Sequence, residues 1–136
     1  MNKIVAMTVL ILSALPVQAR DFSIHHVMGA TPRQVDSAIG RPVSVGKAGK
    51  FREYGTKRAG WYVEFANGKA VKATVTFRTT FSTPQAALKA IGLEPRKVKP
   101  VKTTFLSCRW EKLNGMKSAT VRSLDGKLWE TVEVEK

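Results

Sequence analysis

Apolar and polar positions alternate with a period of two over two adjacent stretches of the chain. Trp61, Val63 and Phe65 alternate with Tyr62 and Glu64, and Val71, Ala73, Val75 and Phe77 alternate with Lys72, Thr74, Thr76 and Arg78. Successive side chains of a strand point to opposite faces, so each stretch predicts a strand with one buried face. Between them lies Ala66-Asn67-Gly68. A two-residue loop would set Val71 opposite Glu64 and mix the faces, whereas a three-residue loop with Gly68 left-handed pairs odd positions with odd. The expectation is the three-residue hairpin, with all seven apolar residues on one side. An earlier strand is expected at 51–56. Three more, at 103–113, 116–124 and 127–135, form a meander through Asn114-Gly115 and Asp125-Gly126, the strongest short hairpin signals. With two-residue turns Trp110 faces Ala119, Cys108 faces Val121 and Ala119 faces Val132. That register buries Leu106, Cys108, Trp110, Ala119, Val121, Leu128, Val132 and Val134, and leaves Glu130 as the one misfit, which strand-end twist or a bulge would turn out.

A different period marks two short helices. Val35, Ala38 and Ile39 make one apolar stripe, and Ala87, Ala90 and Ile91 repeat it. Thr31-Pro32 and Thr83-Pro84 open the two segments with an N-cap and a first-turn proline, Gln34 completes a capping box in the first, and Gly40 and Gly92 close them. Each helix precedes strand-like sequence. The predicted fold class is α+β, in two tandem units of a short helix followed by antiparallel strands, the helices packed on one face of the sheet or sheets. Their limits are 20–82 and 83–136, joined in one compact domain.

Residues 1–19 fall outside that plan. Lys3 supplies a positive start, residues 4–15 are almost wholly apolar, and Val17-Gln18-Ala19 is a small-x-small cleavage pattern, so a secretory signal peptide cut near Ala19/Arg20 is expected. The destination implied is periplasmic or secreted, with no integral membrane span. No cysteine follows the cut to carry a lipid. The single cysteine, Cys108, makes no intramolecular disulfide and falls at an apolar strand position, as a buried inert thiol does.

Charge changes the picture of partners rather than of fold. The chain carries a formal +13, of which the first 19 residues contribute only Lys3, and the basic residues are spread over both halves. A field of that sign attracts polyanions or acidic protein surfaces. The densest run, Arg96-Lys97-Val98-Lys99-Pro100-Val101-Lys102, reads as a solvated loop crossing from helix to sheet.

Chemistry-bearing constellations are sparse. His25 and His26 are adjacent, so they point apart and do not share a metal ion, and no Cys or Asp spacing completes such a site. Gly46-Lys47 follows a glycine but fails the phosphate-loop spacing, with Ala48 where Ser or Thr must bind magnesium. No nucleophile elbow or metal-binding helix motif occurs. No enzyme, cofactor or metal is expected. The face opposite the core is more informative: the expected register sets Arg109 beside Thr120, Ser107 beside Arg122, and Arg122 beside Trp129, with Phe105 near, while the first unit adds Tyr62, Lys72, Thr74, Thr76 and Arg78. Trp, Tyr and Arg together are typical of interfaces.

Met28-Gly29-Ala30-Thr31, Val35, Ile39-Gly40-x-Pro42, Tyr54 and the run from Trp61 through Asn67-Gly68 to Val71 resemble the unit shared by the SmpA/OmlA (BamE-like) outer-membrane proteins and the β-lactamase inhibitory proteins. The two copies are more similar to the tandem inhibitor arrangement. The resemblance implies an exported, non-catalytic protein-binding module that uses its exposed sheet face. The chain departs from it in lacking both the lipobox cysteine and the inhibitors' paired cysteines.

The expected function is therefore an envelope-assembly accessory or an inhibitor of a secreted or periplasmic enzyme. Tyr62, Arg109, Arg122 and Trp129 would form the centre of its partner-binding site, with Lys72 and Arg78 steering a partner of acidic surface. The alternative is a basic binder of anionic polymer, whether lipopolysaccharide, lipid headgroups or nucleic acid.

Overall fold

The computed structural model describes residues 23–136, so the expected signal peptide lies outside the described residues. Both helices form where their caps predict. In α1 (Pro32–Ile39), Thr31 Oγ1 accepts from Gln34 N–H at 3.3 Å while Gln34 Oε1 accepts from Thr31 N–H at 2.9 Å. In α2 (Pro84–Ala90), Thr83 Oγ1 accepts from Ala86 N–H at 3.1 Å. Each satisfies helix-end donors that would otherwise lack partners.

The tandem plan is overturned. All strands belong to one antiparallel sheet, in the order β1 (Ser44–Val45), β2 (Phe51–Gly55), β3 (Ala59–Ala66), β4 (Lys69–Phe81), β8 (Trp129–Glu135), β7 (Met116–Ser123), β6 (Ser107–Leu113) and β5 (Lys102–Thr103). The two helices are short, and the sheet dominates. The physical reason is the junction of β4 with β8. Neither half closes its own last strand, and pairing Ala73 with Val134 and Val75 with Val132 removes both open edges at once. The halves are the two wings of a single sheet.

One face of the sheet carries the core. Trp61, Val63, Ala73, Val75, Cys108, Trp110, Ala119, Val121, Val132 and Val134 are buried there, beneath Leu88 and Ile91. The segment before α1 lies across the same layer: Ile24 N–H donates to Ile91 O at 2.7 Å, and Gly29 N–H donates to Ala70 O at 2.8 Å. Gly92, at φ +89°, lets Ser23 close on the end of α2, for a Cβ there would stand 2.7 Å from Ser23 Oγ. At the far wing Asp36 of α1 accepts from Tyr54 Oη at 2.6 Å and pairs with Arg52.

Two bulges correct the expected registers. The β3–β4 turn is the two-residue Asn67-Gly68, both at positive φ, as a primed turn requires. The odd-with-odd pairing is nevertheless present beyond it, Trp61 with Val75 and Val63 with Ala73, because the ladder shifts after Glu64. The extra residue is Val71, which is turned outward, and Ala70 takes its place in the core. The β7–β8 connection is a longer loop rather than a two-residue turn, so Ala119 faces Val134, not Val132. A second shift, between Arg122 and Ser123, sets Arg122 opposite Thr131 and Ser123 opposite Trp129, with Glu130 as the extra residue. Leu106 and Leu128, expected in the core, are exposed.

Candidate functional site: the open face of the sheet

Among the described residues no helix covers the face opposite the core. The register draws one unbroken row across it from wing to wing: Ser44, Glu53, Tyr62, Thr74, Glu133, Thr120, Arg109 and Lys102. A flanking row carries Glu64, Lys72, Glu135, Ser118 and Glu111, and the other carries Gly60, Thr76, Thr131, Arg122 and Ser107. Tyr62, Lys72, Arg109 and Arg122 are thus brought to one face. Arg78 extends it at the end of the ladder, where its Nε donates to Thr56 O at 3.1 Å and its guanidinium lies over Gly55.

Trp129 is not among them. The bulge at Glu130 swaps the faces of the two residues, and Trp129 is only 7% exposed, opposite Ser123 and Phe81. The expected Arg122–Trp129 pair does not exist. Nor are the cations of this face uncommitted. Lys72 Nζ lies 3.6 Å from Glu133 and 3.9 Å from Glu64, Arg122 lies 3.3 Å from Glu133, and Arg109 lies 4.0 Å from Glu111. Such exposed pairs add little stability. Their effect is to make this face a mosaic of both signs.

Two apolar features stand out at the surface, one per wing. On the first wing Tyr62 stacks on Phe51 with centroids 5.0 Å apart. Beside the pair, Gly60 leaves a notch of about 210 Å³ walled by Val43, Glu53, Tyr62, Thr74 and Thr76. A Cβ on Gly60 would meet nothing within 4 Å, so the notch is open to a side chain from outside.

On the other wing, Phe105 and Leu106 approach the loop joining β7 to β8. Phe105 is 74% exposed and Leu124 is 85% exposed, with Leu106 and Leu128 half-exposed beside them. The loop is held from within. Asp125 Oδ1 accepts from the N–H groups of Lys127 and Leu128 at 2.8 and 2.9 Å. Ser123 Oγ accepts from Gly126 N–H at 2.8 Å and donates to Leu128 O at 2.5 Å. The backbone N–H groups of Leu128 and Lys127, with the Ser123 hydroxyl, hold the Asp125 carboxyl below its ordinary value. Gly126, at φ +80°, lies under the Phe105 ring, which would be 2.7 Å from a Cβ there. The 104–106 turn is tied to β7 by Ser123 N–H donating to Leu106 O at 2.9 Å.

The sequence pattern misses Leu124, Leu128, Val43 and Glu53 as surface features, because each needs the bulge, the loop or the β1–β2 pairing to be placed. The one local signal was Ser123-x-Asp125-Gly126, a side-chain-capped turn rather than a tight hairpin. Cys108 is buried, as expected. Among the described residues no group of three or more His, Cys, Asp or Glu is placed to hold a metal, and no helix is long and apolar enough to cross a membrane. Compared with protein-family models, curated proteins and solved structures, the chain matches none.

Proposed function

We propose that this chain is an exported, non-catalytic protein-binding module, an envelope-assembly accessory or an inhibitor of a periplasmic or secreted enzyme, acting through the open face of its sheet. The observation that carries the reading is the Phe105–Leu124 projection. A loop capped by its own Ser and Asp holds large apolar side chains in water, and preorganised apolar anchors are what a protein interface rewards. The motif resemblance to the BamE-like and inhibitory proteins supports the same class of function and the same face.

The contact surface joins that projection to Arg122, the mixed-charge centre and the Tyr62 notch. Its partner presents an apolar cleft to Phe105 and Leu124, with acidic groups nearby to meet Lys102 and Lys127. Arg109, Lys72 and Arg78 belong to this face. Trp129 supports it from the core side and makes no contact.

The test is capture from envelope and culture extracts at low and high salt, by the parent and by the Phe105→Ala/Leu124→Ala variant. Retention of one protein at high salt is expected, with affinity about tenfold or more weaker for the variant. Equal capture by both proteins, or capture at low salt alone of many acidic species, contradicts the assignment.

A further inference from the structure

The connector from α2 to β5 reads in the sequence as a loop that merely crosses solvent. It is instead built. Leu93 and Pro95 are buried, Val98 N–H donates to Pro95 O at 2.9 Å to close a turn, and the Trp110 indole Nε1–H donates to Val98 O at 2.9 Å from within the core. Glu94 N–H donates to Asn114 Oδ1 at 2.6 Å. The connector is thereby held away from α2, and a groove of about 450 Å³ lies between them. Its lining includes Lys89, Arg96, Lys97 and Lys99 over a floor of Val98 and proline, and no acid lines it. The nearest carboxylate, Glu94, is turned to Lys89 at 3.9 Å.

Like charges gathered on a fixed backbone oppose one another, and a multivalent anion relieves that cost by meeting several at once. A phosphate dianion does so best, because an arginine fork binds it through two donors and lysines add point charges. We propose that this groove binds phosphomonoesters, the phosphate against Arg96 and the lysines and its carrier over Val98 and the prolines. The site stands apart from the open sheet face and does not depend on the protein-binding reading. The same chemistry is offered by a free sugar phosphate and by the headgroup of a phosphorylated glycolipid.

Trp110 provides an internal reporter, since its indole N–H is bonded to the connector itself. The experiment titrates ¹⁵N-labelled protein with glucose 1-phosphate, and separately with detergent micelles bearing a diphosphorylated glycolipid or the same glycolipid without phosphate. Movement of the Trp110 Nε1–H and of the 96–99 amides is expected. Replacing Lys89, Arg96, Lys97 and Lys99 with alanine should weaken binding more than about tenfold, since the phosphate loses every charged donor of the groove. Removing Lys47, Lys50, Lys57 and Lys69 instead deletes the same charge elsewhere and should leave the groove's binding within a few-fold. Response to the soluble ester alone identifies a free sugar phosphate as the source, and response to phosphorylated micelles with the same variant dependence identifies the glycolipid. No response to either probe, or equal losses in the two variants, overturns the proposal.

Discussion

Asp36 holds two partners on β2. It accepts from Tyr54 Oη and pairs with Arg52, so one carboxylate ties α1 to β2 where few apolar residues do so. Burial, with the Asp36 carboxylate beside it, pushes the Tyr54 phenol well above its ordinary range. Arg52 Nε is buried without a partner in this cluster. Tyr54→Phe removes one bond to a charged acceptor and should cost about 1–3 kcal/mol in urea unfolding, with the fold intact. Residue-scale signals of this kind are partly legible in sequence. The caps at Thr31, Gln34 and Thr83 depend only on neighbours a few positions away, and they appear where the sequence places them. The Asp36–Tyr54 bond spans 18 positions and carries no local mark.

At the scale of elements, single inserted residues decide which side chains reach which face. The parity argument for β3 and β4 reaches the right odd-with-odd pairing by the wrong turn, because a bulge at Val71 performs the correction assigned to the loop. In β8 the bulge at Glu130 does turn a misplaced acid out, but it also draws Trp129 into the core. Alternation in a sequence gives relative parity within a strand and says nothing of where the strand is interrupted. The β7–β8 loop is the element on which the proposed function rests, and its clasp is titratable. The folded Asp125 carboxyl has a lowered pKa, so its contribution is fully present above the unfolded value of 3.8 and is lost as pH falls below it toward the folded one. Amide exchange at Lys127 and Leu128, corrected for its intrinsic pH dependence, should show protection falling through that acid range. Protection that stays flat in the parent, or an unchanged response in Asp125→Asn, would refute the clasp.

For the whole molecule, the pairing of β4 with β8 makes one sheet of two similar wings, and it also makes one continuous outer face. That pairing joins residues from 48 (Phe81 and Trp129) to 63 (Lys72 and Glu135) positions apart and leaves no trace in local periodicity, which is why the repeat of cap, stripe and glycine reads as two separate units. Charge is likewise segregated only after folding. Glu53, Glu64, Glu111, Glu133 and Glu135 gather on the open face and offset its cations. The molecule therefore presents two surfaces of different chemistry, a mixed-charge face with rigid apolar anchors and a basic groove beside α2. The central claim is that the first of these meets a protein. The direct measurement is photo-crosslinking in the producing cells, with the reactive group placed at Leu124, at Thr74 in mid-face, or at Arg33 on the exposed side of α1. The account predicts one discrete adduct from Leu124 and Thr74 and none of that mass from Arg33. An adduct from Arg33 alone, or none from Leu124 and Thr74, would contradict it.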